Sequence, residues 1–185
     1  IQQPHAHLVT DPITRVEPAG VRTADGTLHE LDVLVLATGF RADRFIRPTT
    51  VVGRDGVDLD DVWATSPVAY LSVTVPEFPN FFMLNGPNGP VGNFSLIEVA
   101  ERQLAYAMQL IDGLVRGDYR EVSPTHEAML RFEQERCAAA EHTVWVTGCD
   151  SWYLDARGVP ASWTFTHARF VEEMSAPKFA DFVIR

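Results

Sequence analysis

Asp32-Val33-Leu34-Val35-Leu36-Ala37-Thr38-Gly39-Phe40 is the stretch on which the fold turns. Four apolar residues in succession, two of them β-branched, predict a strand covered on both faces, as in a parallel sheet. The strand runs straight into Thr38-Gly39, where glycine permits a tight turn and lets the backbone approach a neighbour closely. A second run, Phe81-Phe82-Met83-Leu84, ends in Asn85-Gly86-Pro87-Asn88-Gly89-Pro90-Val91-Gly92-Asn93. Twice, then, a buried strand is expected to feed a glycine-bearing loop. Loops at the ends of parallel strands line crevices for flat ligands.

On the N-terminal side, Ile13-Thr14-Arg15-Val16, Val21-Arg22-Thr23-Ala24 and Thr27-Leu28-His29-Glu30-Leu31 are β-prone, and Asp25-Gly26 between the last two predicts a tight hairpin. His7-Leu8-Val9 is a further short β-prone run. Residues 41–75, with Gly53, Gly56 and Asp58-Leu59-Asp60-Asp61, read as a solvated, loop-rich surface segment. Beyond the second loop, Ser95 with Glu98 forms a capping-box pattern at the start of a helix. Leu96, Ile97, Ala100, Leu104, Met108 and Ile111 recur along that helix as an apolar stripe. Arg116 suits its C-terminal dipole and Gly117 its stop. A second helix is predicted with Ser123 as cap, Pro124 at its first position, and Met129, Phe132 and Ala140 along its length. Thr143-Val144-Trp145-Val146 reads as a strand.

The chain has 185 residues and a formal net charge of −10. Such an acidic surface disfavours nucleic acid and anionic membranes as partners. The longest uncharged stretch, Phe78 to Ile97, holds three prolines and three glycines, which excludes a spanning helix. Two cysteines, Cys137 and Cys149, make no disulfide scaffold and no CxxC, which favours a reducing, cytoplasmic setting. No metal site is expected, because His5, His7, Cys137, His142 and Cys149 lack ligand spacing. The chain carries no GxGxxG, no phosphate-binding P-loop and no GxSxG elbow. By pattern alone, the sites that remain are the two strand-end glycine loops, with the Ser95 helix aiming its positive end at an electron-rich group.

Three segments carry a resemblance. Asp32 to Phe40 resembles the "D-x-hydrophobic-x-x-A-T-G-F" segment of flavoproteins with two dinucleotide-binding domains. Tyr70-Leu71-Ser72-Val73 followed by Phe78-Pro79-Asn80-Phe81-Phe82-Met83-Leu84-Asn85-Gly86-Pro87 resembles the "Y-L-G…F-P-N-L-F…G-P" stretch of Baeyer–Villiger and related flavin-containing monooxygenases. Thr143-Val144-Trp145 with Cys149-Asp150-Ser151-Trp152-Tyr153-Leu154-Asp155 is similar to that family's late segment.

The resemblance implies an α/β protein holding part of an FAD/NAD(P)-binding Rossmann-like fold: a few strands with an N-terminal β-meander, two main helices, and an N-terminal half lying elsewhere. Residues 1–39 would be the last strands of the NADP-binding domain and 40–185 the C-terminal part of the FAD-binding domain. Ile1 as first residue and the missing glycine fingerprint accord with that expectation. Thr38 and Gly39 would lie where the backbone passes FAD, and Gly86, Pro87 and Asn88 beside the isoalloxazine ring. Asn93 and Phe94 would open the helix at the flavin pyrimidine edge, with Trp152 on the nicotinamide and substrate side. The catalytic residues would belong to the missing N-terminal part.

The implied activity is NADPH- and FAD-dependent insertion of one oxygen from O2 into a small organic substrate, by way of a flavin peroxide. Asp155-Ala156-Arg157 stands where ketone-oxidising members often carry Gly-x-Asn, so ketone, sulfide and amine substrates all stay open. The partner would be the N-terminal half of the same protein, the fragment alone being inactive and prone to self-association. The alternative is a non-catalytic Rossmann-like module, standing alone or acting in trans.

Overall fold

The computed structural model describes residues 2–39, 44–92, 94–148, 151, 153–155 and 157–185. The chain divides into two compact units, Ile1–Phe40 and Arg41–Arg185.

The first unit is an antiparallel meander, β1 (Ile13–Glu17), β2 (Gly20–Thr23) and β3 (Leu28–Glu30), in the order β1-β2-β3. Glu17 pairs with Gly20 at the first turn, and Gly20 with Glu30 across the second. The predicted Asp25-Gly26 hairpin forms, with Gly26 at φ 88°. Asp25 organises it by accepting from the Thr23 hydroxyl at 2.6 Å and from the Thr27 amide at 3.1 Å. Those hydroxyl and amide bonds hold its carboxyl at about 2. Val33–Leu36 departs from expectation: it joins no strand among the described residues, and Val35 is 79% exposed. The apolar pattern is that of a central strand, and a central strand needs neighbours that β1–β3 do not supply. His7-Leu8-Val9 likewise forms no strand.

In the second unit two helices dominate, α2 (Leu96–Arg116) and α3 (His126–Ala140), with a short α1 (Leu59–Val62) before them and α4 (His167–Glu173) after. A two-stranded antiparallel ladder joins β4 (Val122–Pro124) to β5 (Phe182–Ile184). The mixed α/β class, the meander and the two main helices accord with the sequence reading; all strand pairing among the described residues is antiparallel. No described helix is long and apolar enough to cross a membrane.

Several local expectations are corrected. Residues 44–75 are no solvated strip: Leu59, Trp63, Ala69, Tyr70, Val73 and Val75 are buried. Asp58 caps α1 by accepting from the Asp60 amide, and Leu59 and Trp63 then drop into a cluster with Phe78 and Met83. Phe81–Leu84 is not a strand, but Met83 sits in that cluster and its amide donates to the Val73 carbonyl at 2.8 Å. Ser123 and Pro124 lie in β4, so Thr125 caps α3 instead, its hydroxyl accepting from Ala128 at 3.0 Å. A proline is tolerated there because the ladder has only two strands and each is an edge. Val144–Val146 is a 3-10 turn, not a strand.

The Ser95 helix begins and ends as predicted: the Ser95 hydroxyl accepts from the Glu98 amide, and Gly117 closes the helix at φ 79°. Most of its apolar stripe, however, faces out; only Ala100 and Ile111 are half-buried, Ile111 against the main core. The buried face is Val99, Gln103, Tyr106, Ala107, Leu110 and Gly113, whereas Leu96, Ile97, Leu104 and Met108 are exposed. At Gly113 the ring of Tyr119 presses on the helix, its hydroxyl donating to the Leu110 carbonyl at 2.6 Å. A Cβ at position 113 would lie 2.4 Å from that ring. The main core gathers Val99, Tyr106 and Leu110 with Tyr70, Phe132, Trp163, Phe170 and Phe182. The Tyr70 ring meets Phe132 and Phe182 edge-on, and its hydroxyl donates to Asp181 at 2.6 Å.

Candidate functional site

The loop following Met83 interlocks with an earlier turn. Tyr70 and Thr74 bridge one another, which forces Leu71 and Ser72 into left-handed conformation at φ 52° and 65°. Ser72, fully buried, donates its hydroxyl to the Gly86 carbonyl at 2.6 Å. A Cβ on Gly86 would meet the Ser72 carbonyl oxygen at 2.5 Å, and one on Gly89 the Ser72 hydroxyl at 2.7 Å. Glycine is favoured at both positions, at 86 because two backbones touch and at 89 because the buried Ser72 hydroxyl fills the space. Asn88, buried at φ 65°, accepts the Ala69 amide on its side-chain oxygen at 3.1 Å. Gly89 accepts the Trp163 amide at 2.9 Å.

At the near end of the loop, the Asn85 amide donates to the Gln103 side-chain oxygen at 2.7 Å, tying the loop to the buried face of α2. The Nδ2 of Asn88 and the Nε2 of Gln103 are buried donors without a hydrogen-bond partner among the described residues. Unpaired buried donors are costly, so such groups mark places where an acceptor belongs. At the far end, Gly92 and Ser95 are exposed, and Leu96 and Ile97 continue that open surface along the first turn of α2. A helix of 21 residues ends there with its amide groups and the positive pole of its dipole presented outward.

Phe94 is half-buried at this mouth, packed edge-on against His167 with ring centres 4.7 Å apart. His167 also meets the Glu98 carboxylate at 3.1 Å, and Arg102 donates to the same oxygen at 2.9 Å. The Arg102 bond first, then that from His167, holds the Glu98 carboxyl below its ordinary value despite partial desolvation.

The site residues expected from sequence thus fall into groups. Gly86, Pro87 and Asn88 are brought together as one buried loop, held by Ser72, Ala69 and Trp163. Phe94 stands at the opening of α2. Thr38 and Gly39 belong to the other unit, both exposed; Gly39 is at φ 86°, with nothing within 4 Å of where a Cβ would sit. Asn93 and Trp152 lie outside the described residues. Ser72 and Gln103 escaped the sequence reading. Gln103 carries a signal, a polar residue four positions after Val99 and in line with Tyr106 and Leu110; Ser72 carries one too, since it stands at the glycine of the Y-L-G stretch and takes φ 65° in the Tyr70–Thr74 turn.

No protein-family model matches the chain. Curated relatives do. The chain is 47% identical over 169 residues, 91% of its length, to an uncharacterized monooxygenase of Mycobacterium tuberculosis. It is 35% identical over 98% of its length to an FAD-binding monooxygenase of Aspergillus niger, and 34% identical over 80% to a Baeyer–Villiger monooxygenase of Pseudomonas aeruginosa. The chain is homologous to part of the Baeyer–Villiger-type monooxygenases. It spans about a third of the length of these relatives: 34%, 31% and 28%.

Solved structures agree. Cyclohexanone monooxygenase from Rhodococcus sp. Phi1 bound to NADP+ superposes at TM-score 0.79 with 34% identity, over 95% of this chain and 34% of that one. A steroid monooxygenase bound to NADP superposes at 0.77 with 28% identity, over 94% of this chain and 34% of that one.

Proposed function

We propose that this chain is the C-terminal part of an FAD- and NADPH-dependent monooxygenase of Baeyer–Villiger type, which inserts one oxygen of O2 into a small organic substrate. The observation that carries the proposal is homology along nearly the whole chain, in sequence and in fold, to flavin monooxygenases, among them structures with NADP bound. Residues 1–39 would close the NADP-binding domain and 40–185 the FAD-binding domain. FAD, when bound, supplies the redox and oxygen chemistry.

This chain's own contribution is positional. Thr38 and Gly39 would present backbone to the cofactor, with Gly39 in the left-handed conformation at φ 86°. The amides opening α2, at Asn93 and Phe94, would donate to the electron-rich edge of the flavin, where preoriented dipoles stabilise negative charge. Gly86, Pro87 and Asn88 would act mainly as the rigid floor behind that edge, since the fold buries them. Trp152 would face the nicotinamide and substrate.

The outward face of α2 supports a missing partner surface. Ile97, Leu104, Met108 and Val115 are exposed along it, Val115 at 80%. Burying each large apolar side chain is worth about 1.5–3 kcal/mol, so leaving the face bare favours self-association. The preceding part of the same polypeptide is the proposed natural cover.

The test compares the 185-residue chain with the longer polypeptide. The longer protein is expected to purify yellow with FAD and to consume NADPH and O2 in the presence of a ketone, sulfide or amine. The chain alone is expected to retain no FAD, to turn over nothing, and to sediment as more than a monomer. A longer protein that binds no FAD would overturn the proposal in favour of a non-catalytic module.

A further inference from the structure

α3 carries a charged cluster that the flavin reading does not use. The Arg136 side chain is 0% exposed, and a buried guanidinium persists only with a full set of partners. Its Nε and Nη2 donate to the two oxygens of Glu133 at 2.8 Å each, a forked pairing. Its Nη1 donates to the Pro160 carbonyl, with the Ser162 carbonyl at 3.5 Å. Arg157 then bridges the same Glu133, at 2.7 Å, to Asp155, at 2.6 Å. Burial pushes the Glu133 carboxyl up, but the bonds from Arg136 and Arg157 outweigh it and hold the group below its ordinary value.

The segment gripped in this way is a closed turn. Leu154 bridges Pro160, the Asp155 amide donates to the Val159 carbonyl at 2.8 Å, and the Ala161 amide to the Tyr153 carbonyl at 2.7 Å. The turn meets the glycine loop at Gly89 and passes close to it at Gly92. The Trp163 amide donates to Gly89, and the Tyr153 hydroxyl lies 3.3 Å from where a Cβ on Gly92 would be.

We propose that Arg136 and Glu133 are positioning residues: through Pro160 and Arg157 they fix the Tyr153–Trp163 turn, and the turn in turn sets the Gly89–Gly92 end of the loop at the mouth of α2. A merely stabilising ion pair would leave the loop where it is when weakened; a positioning pair moves it. The consequence for catalysis rests on the monooxygenase reading, while the mechanical claim does not.

Amide spectra and hydrogen exchange of the 15N-labelled longer protein, in which the outward face of α2 is proposed to be covered, decide the mechanical claim. Arg157→Gln removes the half-exposed arm and leaves the buried fork intact. It is expected to shift or broaden the amide signals of Tyr153, Ala161 and Gly92 and to speed Ala161 exchange about tenfold or more. Signals of Thr27 and Val122 should stay in place, and Arg157→Lys should restore Gly92 in part. Arg136→Lys should disturb Gly89 and Gly92 more strongly; if that variant does not fold, Glu133→Gln takes its place. The proposal is overturned if Gly89 and Gly92 hold their positions while Ala161 exchange accelerates, or if neither responds. In the longer protein, Arg157→Gln is expected to raise KM for the organic substrate several-fold at unchanged FAD content. A longer protein devoid of FAD would remove the catalytic consequence and leave the amide result standing.

Discussion

The two apolar runs that open the sequence reading look alike on paper and meet opposite fates. Each has four consecutive apolar residues, and each enters a turn containing glycine. Val33–Leu36 stands exposed with no strand beside it among the described residues, whereas Phe81–Leu84 is pinned by Met83 among Leu59, Trp63, Val75 and Phe78. The difference lies in where the covering residues come from. For the second run they come from residues 59–78, a few turns of chain away; for the first, β1–β3 of its own unit supply no neighbouring strand among the described residues. An apolar run states a demand for cover without saying what meets it.

The largest expected contrast follows directly. Met83→Ala should destabilise the second unit by about 2–5 kcal/mol, because it opens a cavity in a packed cluster. Val35→Ala should change stability by less than about 0.5 kcal/mol. Urea denaturation of both variants measures this, and equal losses would break the comparison. α2 offers the same contrast within one element. Leu110→Ala should again cost about 2–5 kcal/mol, and Leu104→Ala under about 1 kcal/mol in this chain. In the longer polypeptide the Leu104→Ala penalty should grow if that face is covered there.

The glycines sharpen the point at smaller scale. Gly86→Ala forces a methyl against the Ser72 backbone and should cost about 1–3 kcal/mol in the unfolding midpoint. Gly39→Ala has open space around it, so only its left-handed backbone is strained. At an exposed turn outside the two buried clusters, that strain should leave the main unfolding transition where it is.

Acid should weaken both units through depressed carboxylates. Asp181 is desolvated, which raises its carboxyl, yet the bonds from Tyr70 and Arg131 bring it below the ordinary value. A carboxylate depressed in the folded state stabilises above its unfolded value, and that contribution disappears as pH falls through the folded one. The melting temperature of the second unit should therefore drop as pH is lowered from the ordinary carboxylate range, and Asp181→Asn should flatten the drop. In the meander, the Arg22 and Arg15 bonds hold Glu17 at about 2, and the Thr23 and Thr27 bonds hold Asp25 at about 2. The hairpin amides should accordingly lose protection as pH falls toward about 2, and Asp25→Asn should flatten that loss.

What the sequence makes legible is what local chemistry decides. Ser95, Glu98, Arg116 and Gly117 mark the ends of α2 because caps act within a turn of the chain. Asp25-Gly26 marks the hairpin for the same reason. The face that α2 buries was misread because the helix is apolar on two sides, and the true inner face includes Gln103 and Gly113, which no apolar count selects. The start of α3 was misread by two residues because Pro124 suits an edge strand as well as a helix opening, and β5, the deciding partner, is nearly sixty residues on. At the candidate site, the glycines and Phe94 were visible as a motif. That Gly86 and Gly89 serve the Ser72 turn depends on a loop-to-loop contact that sequence spacing does not encode.

Gly113 has one more implication. A glycine inside a long helix costs about 1 kcal/mol relative to alanine, and here the loss is offset by the aromatic ring lying across it. Substitution at one position should therefore be compensated by substitution at the other: alanine at 113 is expected to be harmful beside Tyr119 and tolerated beside a small residue there. Homologous sequences should accordingly vary at these two positions in concert rather than singly.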